Sequence, residues 1–215
     1  MPADFPPPPW DLRGQGWLTV WTAPRSAVPL LPAGVAPLSL AGRVLVVTAF
    51  VNYGPPGLLS YRELLAAVVV RRGVRFGLSI TDIWVDDETS RRGARAMWGI
   101  PKEMAEFTLS ATPRLAARAH GIADAHEVTG ARTLPEARAD EPSQPPSGLP
   151  ARLGTSVWQS LDHRTTRTPL RTSARVRRTR LHWSFTPDGP LARLTAARPR
   201  LHLAVTGLRM RFGSP

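Results

Sequence analysis

Short β-branched and aromatic runs alternate along this chain with proline- and glycine-rich breaks. Trp17 to Thr22 (Trp-Leu-Thr-Val-Trp-Thr) has the period-two pattern of a strand with one buried face. Pro24 to Leu40, rich in proline and small residues, reads as loop. Arg43 to Tyr53 is the clearest strand, β-branched and mostly apolar, and Gly54-Pro55-Pro56-Gly57 ends it in a turn. Tyr61 to Val70 fits two patterns: Leu64, Leu65 and Val68 have helical spacing, whereas Val68-Val69-Val70 prefers a strand. Arg71-Arg72-Gly73 predicts a hairpin turn into Val74, Phe76, Leu78 and Ile80, which alternate. Asp86, Asp87, Glu88 and Thr89 supply negative charge and caps for a short helix with Ala94, Met97 and Trp98 on one face. Pro101 then stops that helix, holds Ile100 extended and starts a new helical turn at Lys102.

Further on, Val176 to Phe185, Leu201 to Thr206 and Leu208 to Phe212 read as strands, and no internal repeat stands out. The pattern predicts one strand-rich α+β domain over residues 1–215, an antiparallel barrel or sandwich with short helices. Two segments are expected to lie outside that body. One is an extended proline-rich N-terminal arm, residues 1–11, and the other a flexible surface loop near 133–153 marked by Pro135, Pro142, Pro145, Pro146 and Gly148.

Composition narrows the chemistry. There is no cysteine, so disulfides, thiol nucleophiles and thiolate-bound metals are excluded, and the histidines show no metal-ligand spacing. No metal or other cofactor is expected. No apolar run is long enough to span a bilayer and residues 1–9 lack the pattern of a secretory signal, so a cytoplasmic protein without membrane contact is expected. The net charge of +12 is lopsided: residues 151–215 carry thirteen arginines against only Asp162 and Asp188. Such asymmetry can mark a polyanion-binding face or a solvated outer strand face. Aromatic interleaving there is thin and no nucleic-acid motif appears, so nucleic acid is not expected as the partner. Gly14-Gln15-Gly16 precedes a strand and lacks a third glycine, which rules out a dinucleotide fingerprint.

Of the 28 basic residues, 27 are arginine and one, Lys102, is lysine. Arginine supplies charge and salt bridges but not a neutral amine at neutral pH. Lys102 is therefore the candidate for amine chemistry, with survival of one lysine in an arginine-biased chain as the plain alternative. A helix N-terminus at Lys102 and an apolar wall of Met97, Trp98 and Ile100 would both favour the neutral, nucleophilic amine.

Tyr61-Arg62-Glu63, followed 39 positions later by Ile100-Pro101-Lys102, resembles the acetoacetate decarboxylase family, with its Tyr-x-Glu and Pro-Lys-Lys at the same separation. Asp86 and Arg95 also fall at the family's spacing. The match is good over roughly residues 12–110 and looser beyond. The resemblance implies an α+β fold, a mainly antiparallel β cone or barrel with a few flanking helices, and a homo-oligomer. It implies a carbon–carbon lyase that attacks a small keto acid through a Lys102 Schiff base, with Glu63 as the second catalytic group. Arg13 would hold a substrate carboxylate, and Tyr61, Trp98 and Met97 would wall the pocket. The family's second lysine is here Glu103, which removes a neighbouring cation. Two alternatives stay open: aldolase- or dehydratase-type biosynthetic tailoring, and a non-catalytic descendant that binds a small ligand.

Overall fold

The computed structural model describes residues 4–111, 114–128 and 148–214. Its strands are β1 (Trp10–Pro24), β2 (Ala36–Pro37), β3 (Ser39–Leu40), β4 (Arg43–Tyr53), β5 (Arg62–Arg72), β6 (Arg75–Val85), β7 (Lys102–Met104), β8 (Phe107–Ser110), β9 (Ala116–Ala119), β10 (Ala123–Glu127), β11 (Leu149–Leu161), β12 (Arg164–Arg178), β13 (Leu181–Phe185) and β14 (Arg198–Phe212). One α-helix, α1 (Glu88–Trp98), joins β6 to β7. The strands β5-β4-β1-β14-β12-β11-β6 form a ring, and pairing of β6 back to β5 closes it into a seven-stranded barrel. The ring is antiparallel except at the β6–β11 seam, where Val157 faces Leu78 in parallel, and β7 extends β6 in parallel outside the ring. A second sheet, ordered β13-β10-β9-β8, is antiparallel. The α+β barrel expected from the sequence is the fold observed.

The small sheet explains why part of the chain read ambiguously. Val44, Val46 and Phe50 of β4, with Leu64, Ala66, Val68 and Val70 of β5, share one apolar cluster with Leu115, Ala117, Ala125 and Leu181 around the small sheet. The alternate residues Ala49, Val51 and Tyr53 belong to a second cluster inside the barrel, and Leu65 packs against it. Strands buried on both faces lose the polar half of their alternation. Tyr61 to Val70 could therefore imitate a helix, yet Arg62–Arg72 is a strand. A register shift between Ala66 and Ala67 pairs Ala66 with Asp82 and Ala67 with Ile80, leaving one extra residue in β6. Such a bulge turns the strand over. Leu78 and Ile80 line the interior before it, and Ile83 and Val85 after it. Val74 and Phe76, predicted on the same face, lie exposed at the hairpin end.

Three boundaries differ from expectation. The N-terminal arm ends at Pro9, because Trp10 and Asp11 already belong to β1, and the Trp10 indole donates to the Pro6 carbonyl at 2.9 Å. The predicted loop overlaps β11, which starts at Leu149, while residues 133–147 lie outside the described residues. β12 starts at Arg164, earlier than the predicted Val176, since arginine and threonine on its solvent face masked small inward residues such as Ala174. Among the described residues, no helix is long and apolar enough to cross a membrane.

Phe50 is fully buried and stacks on Trp183 of the small sheet, ring centroids 5.4 Å apart. Phe50→Ala is expected to cost about 3–5 kcal/mol in urea unfolding. Val74→Ala, at a residue 91% exposed, is expected to change stability by less than about 0.5 kcal/mol. Equal effects would contradict the two-cluster core.

Candidate active site

The short stretch from α1 to β7 sets the position of Lys102. Asp87 caps the helix by accepting from the Ser90 amide at 2.6 Å. Gly99 ends the helix at φ +65°, a left-handed conformation that glycine adopts without penalty. A Cβ there would also sit 2.3 Å from the Ser160 carbonyl oxygen. The chain then passes Ile100 and Pro101 into β7, where Lys102 pairs with Ile83. Lys102 thus opens a strand, not the helical turn expected from Pro101, because β6 offers a free edge for parallel pairing. Its amine nevertheless meets the first turn of α1 through tertiary packing, at Ser90.

Lys102 is 4% exposed and Glu63 likewise. The Lys102 Nζ donates to Glu63 Oε2 at 2.9 Å, to Ser90 Oγ at 2.8 Å and to the Tyr61 hydroxyl at 3.1 Å. It also stands 4.6 Å from the centroid of the Tyr61 ring. All three donor positions of the ammonium are filled without water. Asp86, just past the end of β6, accepts from the Arg62 amide at 2.6 Å and pairs with the Arg62 guanidinium, which fixes the end of β5 that carries Glu63. Glu103 points away from the amine, as the next residue along a strand must. It pairs with Arg95 at 2.5 Å, and the same guanidinium donates to the Lys102 carbonyl at 2.9 Å.

The rings of Tyr53 and Tyr61 pack against each other beside this pair, tilted by 44° with centroids 4.8 Å apart. Burial, and then the negative charge of Glu63, push both phenols well above their ordinary range. They therefore remain protonated at neutral pH and can act as donors.

The amine opens into a cavity of about 360 Å³ inside the barrel. Tyr61 and Trp98 line it as expected; Trp98 contacts Trp10 and Phe212 edge-on, at 5.0 and 4.7 Å between centroids. Met97 packs against the interior cluster but does not line the cavity. Arg13 is not brought to the site. Strand alternation points Leu12 into the cavity, while Arg13 lies in an outer groove with Arg152, Arg171, Arg209 and Arg211. Among the described lining residues, Lys102 and Glu63 are the only charged ones.

Ser90 and Tyr53 were missed in the sequence. Ser90 carried a signal only as a helix-cap neighbour, and Tyr53 only as the last residue of a strand face shared with Ala49 and Val51.

The model of the acetoacetate decarboxylase family matches residues 1–198 of this chain. An acetoacetate decarboxylase of Legionella pneumophila is 16% identical, with a TM-score of 0.64, over 99% of this chain and 90% of that one. The enduracididine biosynthesis enzyme MppR, solved with pyruvate, is 16% identical with a TM-score of 0.60, over 99% and 91% of the two chains. An acetoacetate decarboxylase-like enzyme from Sphingomonas wittichii is 15% identical with a TM-score of 0.59, over 96% and 91%. At these identities the likeness is one of fold. No curated protein matches the chain significantly. A closed mixed barrel with a buried lysine–glutamate pair at one end of its cavity defines the class of molecule. The chain belongs to the acetoacetate decarboxylase family.

Tyr53 and Tyr61 are the protein's two tyrosines, so their titration can be read without interference from others. Folded protein is expected to show no tyrosinate absorbance as pH passes about 10, the ordinary phenol value. A phenol raised in the folded state stabilises the protein below its unfolded value, and that contribution is lost as pH rises toward the folded one. Stability should therefore fall above about pH 10, with tyrosinate appearing together with unfolding. Ionisation near pH 10 in still-folded protein would contradict the buried placement.

Proposed function

We propose that this protein is a carbon–carbon lyase that forms a Schiff base between Lys102 and the carbonyl group of its substrate. The observation that carries this reading is an amine held by Glu63, Ser90 and Tyr61 inside an apolar cavity. Glu63, 2.9 Å from Nζ, takes the ammonium proton and frees the amine's lone pair. Attack on the carbonyl carbon gives a carbinolamine, and loss of its hydroxyl as water gives an iminium ion. Protonated Glu63 and the Tyr61 phenol are within reach of that departing oxygen. For a β-keto acid, the bond to the carboxylate then breaks, carbon dioxide leaves, and its bonding electrons pass through the new enamine to nitrogen. Protonation on carbon and addition of water release the ketone and restore Lys102. Apolar surroundings assist, because they withhold solvation from the departing carboxylate.

Aldol-type condensation uses the same enamine, attacking an aldehyde instead of a proton. The relative complexed with the condensation product of pyruvate and imidazole 4-carboxaldehyde supports it as the second reading. The non-catalytic alternative rested on loss of the family's second lysine. Position 103 faces away from the cavity, so that loss leaves the amine's own surroundings intact.

Borohydride reduction in the presence of acetoacetate, pyruvate or 2-butanone at high concentration tests the imine. A reduced adduct on the Lys102 peptide is expected with at least one of them and is expected to disappear in Lys102→Arg. Glu63→Gln is expected to slow adduct formation by about 10²–10⁴-fold. Folded protein without a Lys102 adduct from any of the three would refute the reading.

A further inference from the structure

The cavity extends well beyond what a compact, charged keto acid bound at Lys102 would fill. We infer that the site takes a carbonyl compound whose non-reacting part is a long, uncharged apolar group lying along the barrel axis. The inference rests on the imine chemistry proposed above and adds the substrate class.

Depth is the first argument. Glu63, Leu65 and Ala67 are successive cavity-lining residues of β5, so the space runs on from the amine by four residues of strand. At the rise of an extended strand this is on the order of 13 Å, the length of a chain of roughly ten carbons. The opposite wall runs at least as far, six residues from Leu170 through Thr172 and Ala174 to Val176 on β12. The volume of about 360 Å³ lies within the range that takes drug-sized molecules, ~300–1,000 Å³.

Small side chains keep that space open. A barrel of about eight strands is just wide enough for its own side chains to fill. Here Ala49, Ala67, Ala151 and Ala174, from four different strands, stand at lining positions where leucine or phenylalanine would close the core. Their distribution leaves a channel and not a local dent.

Charge is the third argument. Beyond Lys102, Glu63, the two tyrosines and Thr172, the described lining is apolar, with Leu18, Val47, Leu65, Leu78 and Leu203 in its far part. A substrate carboxylate at the far end would meet no charged side chain among the described lining residues, so its desolvation against that apolar wall would go uncompensated. Leu12 occupies the inward position beside Arg13, so the guanidinium that could have met such a group is outside the barrel. Only a carboxylate next to the reacting carbon, close to Lys102 itself, is compatible.

The test uses saturated methyl ketones from 2-butanone to 2-decanone on the full chain, read by borohydride trapping and by quenching of tryptophan fluorescence. Trp10 and Trp98 line the cavity and report binding whether or not a bond forms. The half-saturating concentration is expected to fall about threefold to fourfold per added methylene up to about 2-octanone. Adding a terminal carboxylate, as in 7-oxooctanoate, is expected to raise it at least about 100-fold over 2-octanone. Ala174→Phe is expected to move the preferred chain shorter, a ratio that partial loss of folded protein does not change. A flat series, preference for acetoacetate or pyruvate over 2-octanone, or no penalty for the terminal carboxylate would overturn the inference. Chain-length-dependent quenching without any Lys102 adduct would instead refute the imine and leave the substrate class standing.

Discussion

Everything around the cavity depends on one ion pair held out of water. Moving an ammonium and a carboxylate into a barrel interior costs several kcal/mol each, and their attraction offsets this only if the remaining hydrogen-bonding capacity is filled. Ser90 and Tyr61 complete the Lys102 ammonium, and they come from α1 and from the residue before β5. The capped first turn of α1, the left-handed Gly99 and the parallel β6–β7 pairing are the local devices that bring one amine to that point. Such a pair is by itself weak evidence for stability.

Lys102 was legible in the sequence by its type, and its pairing with Glu63 through the family resemblance. A lone lysine after Ile100-Pro101 and a glutamate 39 positions earlier make a sparse pattern, and each residue is chemically distinctive. The path by which Lys102 reaches the site was not legible. Proline predicts where a helix stops, but a strand that forms by pairing with a distant edge leaves no local signal. Arg13 failed for a related reason: on a strand, one residue of slip exchanges inside for outside, so Leu12 took the inward place.

The fold was legible in the same uneven way. Arg43–Tyr53 was bounded to the residue, since a glycine–proline turn ends it. The β5 strand was blurred by burial on both faces, and the β11–β12 pair by an arginine-rich solvent face that hides alanines in its inner one. Those alanines matter most for substrate choice, yet an alanine in an Arg-Thr-Ser background carries almost no pattern. The charge asymmetry now has a structural place: Arg152, Arg171, Arg209 and Arg211 share an outer groove with Arg13, on the other side of the wall from the cavity.

The most direct test of whether the Lys102–Glu63 pair exists for chemistry is a comparison of unfolding free energies. Native protein, Lys102→Met and the double variant Lys102→Met/Glu63→Leu would be measured side by side. The account predicts that the single variant loses about 3–5 kcal/mol, because Glu63 is left buried and unpaired. It predicts that the double variant recovers to native stability or exceeds it by about 1–4 kcal/mol while forming no ketone adduct. A double variant as unstable as the single one would show that the pair holds the barrel together, and would contradict the account.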